Sequence, residues 1–255
     1  MVRILSYNVH RCVGLDRRMD VGRVAEVIAA EAPDIVALQE VDVGRARTGR
    51  VDQAHALARR LGMASRFHAA LRVEEEQYGD AVLTALPERL IRAGPLPGYA
   101  RIPQLEPRGA LWVAVDLGEG RELQVINTHL GLAPTEQQNQ ARALTGPDWL
   151  GAAERRDPLV MVGDFNATAR TLAHRILAAS LVNAHRLKPA REPRAATFPA
   201  RLPVLRIDHV FVSSGIKVRS VRVSASPLAR VASDHLPLVM DFEIEGSGAA
   251  QASGG

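Results

Sequence analysis

Cysteine is almost missing from this chain: Cys12 is the only one among 255 residues, which excludes an intrachain disulfide and any site built on several thiolates. Aromatic residues make up 4% of the sequence, too few for a row of base-stacking platforms or for membrane-inserting tips. Lysine is nearly absent too. It occurs only at Lys188 and Lys217, so the 32 basic residues are almost all arginine. Arginine grips phosphate through two parallel N–H donors where lysine offers a point charge. With a formal net charge of +4, a phosphate-bearing partner suits that surface, as does a coding bias toward Arg, Ala and Gly. No block of like charges forms a nucleic-acid-binding arm. No apolar run approaches membrane-span length, and Met1 leads straight into a strand-like run without a basic leader. The expectation is a cytoplasmic monomer without stable membrane insertion.

What is present is a regular series of apolar runs with strand character: Val2–Val9, Ile35–Val41, Arg66–Ala70, Asp80–Leu86, Ala110–Leu117, Glu122–Thr128, Leu159–Gly163, Ile207–Val212, Val218–Val223 and Leu236–Ile244. Helical periodicity and stop signals predict helices over Val21–Ala32, about Val51–Leu61, Thr135–Leu144 (opened by a Thr135…Gln138 capping box) and Thr171–Ala179. Many strands with few helices, mixed rather than alternating, predict an α/β (α+β) domain of two packed sheets with helices outside. No linker interrupts it, so residues 1–245 form one expected domain and the Gly/Ala/Ser-rich stretch 246–255 an expected disordered tail.

Polar motifs stand repeatedly at the mouths of these runs. They are Ser6-Tyr7-Asn8, Leu38-Gln39-Glu40, Asn127-Thr128-His129, Gly163-Asp164-Phe165-Asn166, Ile207-Asp208-His209 and Ser233-Asp234-His235. Oxygen donors of this kind suit a hard cation such as Mg²⁺, leaving histidines for proton transfer or charge stabilisation. Glu40 is the candidate metal anchor, with Asn8 at the same ion. Asp164 and Asn166, two residues apart, can hold an attacking water and a phosphoryl oxygen together. Asp208 is the expected partner of His235, fixing its tautomer and raising its basicity, with Asp234 turned toward the metal. His129 is then expected across the phosphate from His235. A Gly-x-Ser-x-Gly elbow, a Gly-x-x-x-x-Gly-Lys-Ser/Thr loop and a His-Glu-x-x-His helix are all absent, which removes serine hydrolases of that type, P-loop NTPases and zincins.

At these residues, and at Tyr78-Gly79-Asp80 and Glu106-Pro107-Arg108-Gly109, the chain resembles the endonuclease/exonuclease/phosphatase family (DNase I-like) from about Arg3 to Phe242. The resemblance implies a four-layer α/β/β/α sandwich of two packed mixed β-sheets flanked by helices. It also implies metal-assisted in-line attack of water on phosphorus. Glu40, Asn8 and Asp234 would hold Mg²⁺, with Mn²⁺ as substitute. His235 oriented by Asp208, together with His129, Asp164 and Asn166, would be catalytic, and Arg108 and Asp80 would contact substrate phosphate. Two departures bear on phosphate contacts: Gly79-Asp80 stands where relatives often have Gly-Asn, and Thr84-Ala85-Leu86-Pro87 where they often have Ser-Arg-x-Pro. Leu205-Arg206-Ile207-Asp208 replaces the Trp-Cys-Asp-Arg signature of inositol polyphosphate phosphatases. The expected activity is phosphodiester hydrolysis, nuclease-like, with nucleic acid as a candidate partner. The alternatives are a lipid head group (sphingomyelinase-like), a small phosphoester, or a non-catalytic phosphate-binding module.

Overall fold

The computed structural model describes residues 1–102, 104–187 and 196–245; the expected tail 246–255 lies outside them. In chain order the elements are β1 (Val2–Asn8), α1 (Val21–Ala29), β2 (Ile35–Val43), α2 (Gln53–Leu61), β3 (Ala64–Val73), β4 (Glu76–Thr84), β5 (Glu88–Pro95), β6 (Gly109–Asp116), β7 (Glu122–His129), α3 (Pro134–Thr145), β8 (Leu159–Asp164), α4 (Leu172–Ala178), β9 (Val182–Asn183), β10 (Asp208–Val212), β11 (Ile216–Val223), α5 (Ala229–Ala232) and β12 (Leu238–Ile244). The strands form two six-stranded sheets, ordered β11-β12-β1-β2-β4-β3 and β5-β6-β7-β8-β10-β9. Each sheet has one parallel pair at its centre, β1 with β2 and β7 with β8, and antiparallel neighbours on either side.

Three apolar layers separate four structural layers, as the sequence pattern requires. Leu5, Val36, Leu38 and Leu83 of the first sheet meet Val24, Ile28 and Leu57 of α1 and α2. Ile4, Ile35, Val82 and Met240 face Val113, Val125, Val162 and Val210 across the middle of the sandwich. Trp112, Ile126 and Met161 of the second sheet pack under Leu144 of α3 and Leu177 of α4. Alternation at period two sends every second residue into the middle layer. None of the described helices is long and apolar enough to cross a membrane.

The helix signals act locally. Asp20 caps α1 by accepting from the Arg23 amide, and Asp52 caps α2 by accepting from the His55 amide, each worth about 1 kcal/mol. The expected capping box of α3 does not form. Pro134 occupies the first turn behind Ala133, which makes no side-chain cap, because the fixed φ of proline already starts the helix. Two strands escaped the pattern: β5, an edge strand rich in arginine and ending Gly94-Pro95, and the two-residue β9. No residue of β5 is fully buried, so it needs no apolar alternation, and its place at the sheet edge tolerates the terminal proline.

Gly163 lies at φ 149°, and a Cβ there would stand 1.8 Å from the Thr128 carbonyl oxygen of the paired strand β7. Gly163→Ala is therefore expected to lower the unfolding free energy by about 3 kcal/mol, read as a fall in the urea midpoint. An unchanged midpoint would mean that β7 and β8 are not held in this register.

Candidate active site

The same alternation that fills the middle layer with aliphatic residues ends, at one mouth of the sandwich, in polar ones. Along β1, Ile4 gives way to Asn8; along β7, Val125 is followed on that face by Asn127 and His129; along β8, Val162 is followed by Asp164. β10 and β4 run the other way, so Asp208 precedes Val210 and Asp80 precedes Val82 on the same face. The residues named in five separate motifs thus converge because each continues a buried face past its apolar part. In β2 a bulge between Leu38 and Val41 sets two residues opposite one, and Glu40 takes a left-handed conformation, φ 58°. The bulge re-aims both side chains. Gln39 Nε2 donates to Asn127 Oδ1 at 2.7 Å across the sheets, while Glu40 turns to Asn8.

Asn8 is the link between the halves. Its Nδ2 donates to Glu40 Oε1 and to Asp164 Oδ2, both at 3.0 Å. Asp164 Oδ1 accepts from the Asn166 amide at 2.8 Å, which fixes the carboxylate plane. On either side of Asp164 Oδ2 stands an imidazole, His129 Nε2 at 3.4 Å and His235 Nε2 at 3.5 Å. His235 Nδ1 bonds Asp208 Oδ2 at 2.9 Å, leaving Nε2 free to face Asp164 and the cleft. Phe198 packs against the His235 ring, centroids 4.9 Å apart, which limits its rotation.

The two histidines are tuned in opposite directions. Burial disfavours charge on His235, but the Asp208 and Asp164 carboxylates outweigh it and raise its pKa, so the ring holds its proton at neutral pH in the cation-free site. Burial, with the Arg108 guanidinium beside it, pushes His129 well below the usual range. Arg108 Nη1 stands 3.0 Å from His129 Nδ1. A guanidinium and a carboxamide nitrogen can only donate, so a donor faces each ring nitrogen: Arg108 at Nδ1, and Asn166 Nδ2 at 3.0 Å from Nε2, which also lies 3.4 Å from Asp164 Oδ2. Burial, reinforced by Asp208, raises Asp164. Burial also lifts Asp80 well above the ordinary carboxylate range, against the opposing pull of Arg108 and with help from Glu40 and Asp164.

Raised carboxyls crowded at one point mark a site short of positive charge. Carboxylate and carboxamide oxygens are the donors a hard dication takes, so the residues present fit such an ion. Asp164, Asp208 and His235 place ligating atoms within 4.8 Å of one another, and Asp208 keeps a buried Oδ1 without a hydrogen-bond partner.

The structure brings together Asn8, Glu40, Asp80, Arg108, His129, Asp164, Asn166, Asp208 and His235. Asp234 stands at the rim, half-buried, with its carboxylate 4.0 Å from His10 Nδ1 and 3.3 Å from Ser233 Oγ. Ser233 Oγ donates to the Asn8 carbonyl, and the neighbouring His235 is the side chain that turns inward. Arg108 is buried rather than a surface clamp, ion-paired to Glu106 at 3.0 Å and hydrogen-bonded to Tyr78. Tyr78, Glu106 and Phe198 were missed as parts of the site. Tyr78 was legible within Tyr78-Gly79-Asp80 and Glu106 within Glu106-Pro107-Arg108-Gly109; Phe198 carries no sequence signal.

Residues 5–235 match the Endonuclease/Exonuclease/phosphatase family. The chain is 26% identical to the uncharacterized protein YbhP of Escherichia coli (strain K12) over 259 residues, covering 95% of this chain and 96% of YbhP. It superposes with a TM-score of 0.75 on an endonuclease/exonuclease/phosphatase from Beutenbergia cavernae, at 26% identity over 96% of this chain and 72% of that one. The human Nocturnin catalytic domain, solved with a bound sulfate anion, shares the fold at a TM-score of 0.70 and 23% identity, covering 95% and 93% of the two chains. With the family match spanning both sheets and every convergent motif, the chain belongs to the endonuclease/exonuclease/phosphatase family, a family of hydrolases acting on phosphoester bonds.

Proposed function

We propose that this protein is a Mg²⁺-dependent phosphodiesterase, nuclease-like in mechanism, with Mn²⁺ as substitute ion. The observation that carries the reading is the pair of oppositely tuned imidazoles flanking Asp164 Oδ2 at 3.4 and 3.5 Å. Asp164, held by Asn8 and the Asn166 amide, accepts a hydrogen bond from the attacking water and aims it. His235, kept charged by Asp208, stabilises the negative charge that develops on the phosphoryl oxygens. In the tautomer whose Nδ1 accepts from Arg108, His129 offers an Nε2 proton to the departing oxygen. A leaving group that needs such a donor is an alkoxide, as in a sugar-linked phosphodiester. Asn8 and Glu40 are the groups that would hold the metal ion, which when bound supplies Lewis-acid stabilisation of the developing charge.

The test is hydrolysis of plasmid DNA, abasic DNA, RNA, sphingomyelin and a chromogenic phosphodiester, with Mg²⁺ and with EDTA. EDTA-sensitive turnover of at least one phosphodiester is expected. Turnover unaffected by EDTA, or none anywhere in the panel, would defeat the reading. A lipid head group is the second reading, favoured by Leu202 and Val204, which stand 72% and 68% exposed on the turn beside Phe198.

A further inference from the structure

Two adjoining cavities of about 310 and 320 Å³ lie behind the catalytic loop and share Ala169 and Arg206 as walls. Together they form one groove that starts where Asn166 ends: Thr168 lines its near end, two residues and at most about 7 Å of chain from Asn166. Four arginines from four separate segments face it. Arg170 belongs to the loop after β8, Arg175 to α4, Arg186 to the short turn after β9, and Arg206 to the approach to β10. Among the described residues lining the groove there is no aspartate or glutamate. The opposite wall of its near half is apolar, made by Val204 and Leu205.

The floor is rigid and tied to the reaction centre. Asn183 Nδ2 reaches His174 Nε2 at 3.0 Å and donates to His209 Nδ1 at 3.2 Å, while His209 Nε2 donates to the Ala167 carbonyl at 2.8 Å. Burial, with Arg206 and Arg186 nearby, holds His174 down at about 4, so the positive potential of the arginines reaches the floor. Arg170, Arg175 and Arg186 face a concavity with no acid among its described lining residues; cations so placed repel one another, and an anion relieves that. Spread with Arg206 along a groove that begins two residues after Asn166, they suit a chain of phosphates.

Resting on the phosphodiesterase reading, we propose that this groove is an accessory anion site that holds phosphates of the substrate next to the one being cleaved, and that the preferred substrate is a single-stranded polynucleotide. Val204 and Leu205 give its sugars and bases an apolar wall, while the arginines take the backbone. The groove shape argues against a lipid surface, which would want its cations around an exposed tip rather than along a trench.

The experiment compares the wild type with Arg175→Glu/Arg186→Glu, both exposed side chains whose exchange leaves the core intact. The double variant is expected to raise KM for a short single-stranded oligonucleotide about tenfold and to flatten its salt dependence by about one unit of slope. With bis(p-nitrophenyl) phosphate, which carries a single phosphate, kcat/KM is expected to change by less than about twofold, since that substrate reaches no further than the reacting centre. Equal effects on the two substrates, or none on either, would overturn the groove assignment. So would faster turnover of sphingomyelin vesicles than of oligonucleotide, abolished by Leu202→Asp. Should no phosphodiester be hydrolysed at all, the catalytic reading fails separately. Fluorescence anisotropy of the labelled oligonucleotide in EDTA then tests the groove alone: weaker binding by the double variant supports it, and equal binding overturns it.

Discussion

Replacing His235 by alanine is expected to lower kcat by about 10³–10⁴-fold with little change in KM. The imidazole is buried between Asp208 at 2.9 Å and Asp164 at 3.5 Å, and its charge is what the site sets against negative charge developing in the transition state. Removing it also leaves two buried carboxylates without their cation, so the alanine variant loses stability in addition. His235→Gln separates the two effects, because glutamine can still donate to Asp208 but carries no charge. It is expected to recover folding stability while staying inactive. Asp208→Asn should cost less, about 10–10²-fold, and should move the pH limb belonging to His235 to lower pH. The carboxylate holds the proton on, so its loss lowers the pKa and the charged form disappears at lower pH. Activity of the alanine variant within about tenfold of wild type, at normal circular dichroism, would remove His235 from the reaction.

Glu40→Gln is expected to raise the Mg²⁺ concentration that half-saturates turnover by at least about 10–100-fold. A second signal has the opposite sign. Burial raises Asp80 and the half-buried Glu40 adds to it, so neutralising Glu40 relieves its repulsion of Asp80. Metal-free Glu40→Gln should melt at or above the wild-type Tm, while the rise in Tm that Mg²⁺ gives the wild type should vanish. A variant that melts lower yet keeps its Mg²⁺-induced rise would place the ion elsewhere.

Much of this site was legible because strand alternation is local. Asn8, Asp164 and Asp208 sit at ends of short apolar runs, and the Gly163-Asp164-Phe165-Asn166 turn announces itself through a glycine that only a left-handed or crowded backbone needs. The layered fold followed from the same runs. What stayed hidden depends on contacts between segments far apart in sequence. Arg108 reads from sequence only as a phosphate contact; that Glu106, Tyr78 and His129 close around it depends on the fold. Asp234 and His235 are adjacent and equally polar, and only the Ser233 bond to the Asn8 carbonyl decides which one turns inward. Strand β5 was invisible because none of its residues is fully buried and a register shift between Leu90 and Arg92 breaks its parity, and the bulge at Gln39-Glu40 breaks parity within a run that reads as unbroken.

The bond between Gln39 and Asn127 carries a consequence for how this protein fails. Asn8 and Glu40 ride on one sheet, and Asp164, Asp208 and His129 on the other. A slip of one residue along a strand displaces a group by about 3.3 Å and turns it to the opposite face, far beyond what a metal ligand or an aimed water tolerates. Catalysis is thus a vernier on the alignment of the two halves: under mild denaturant, turnover should vanish while both sheets still give their full circular dichroism.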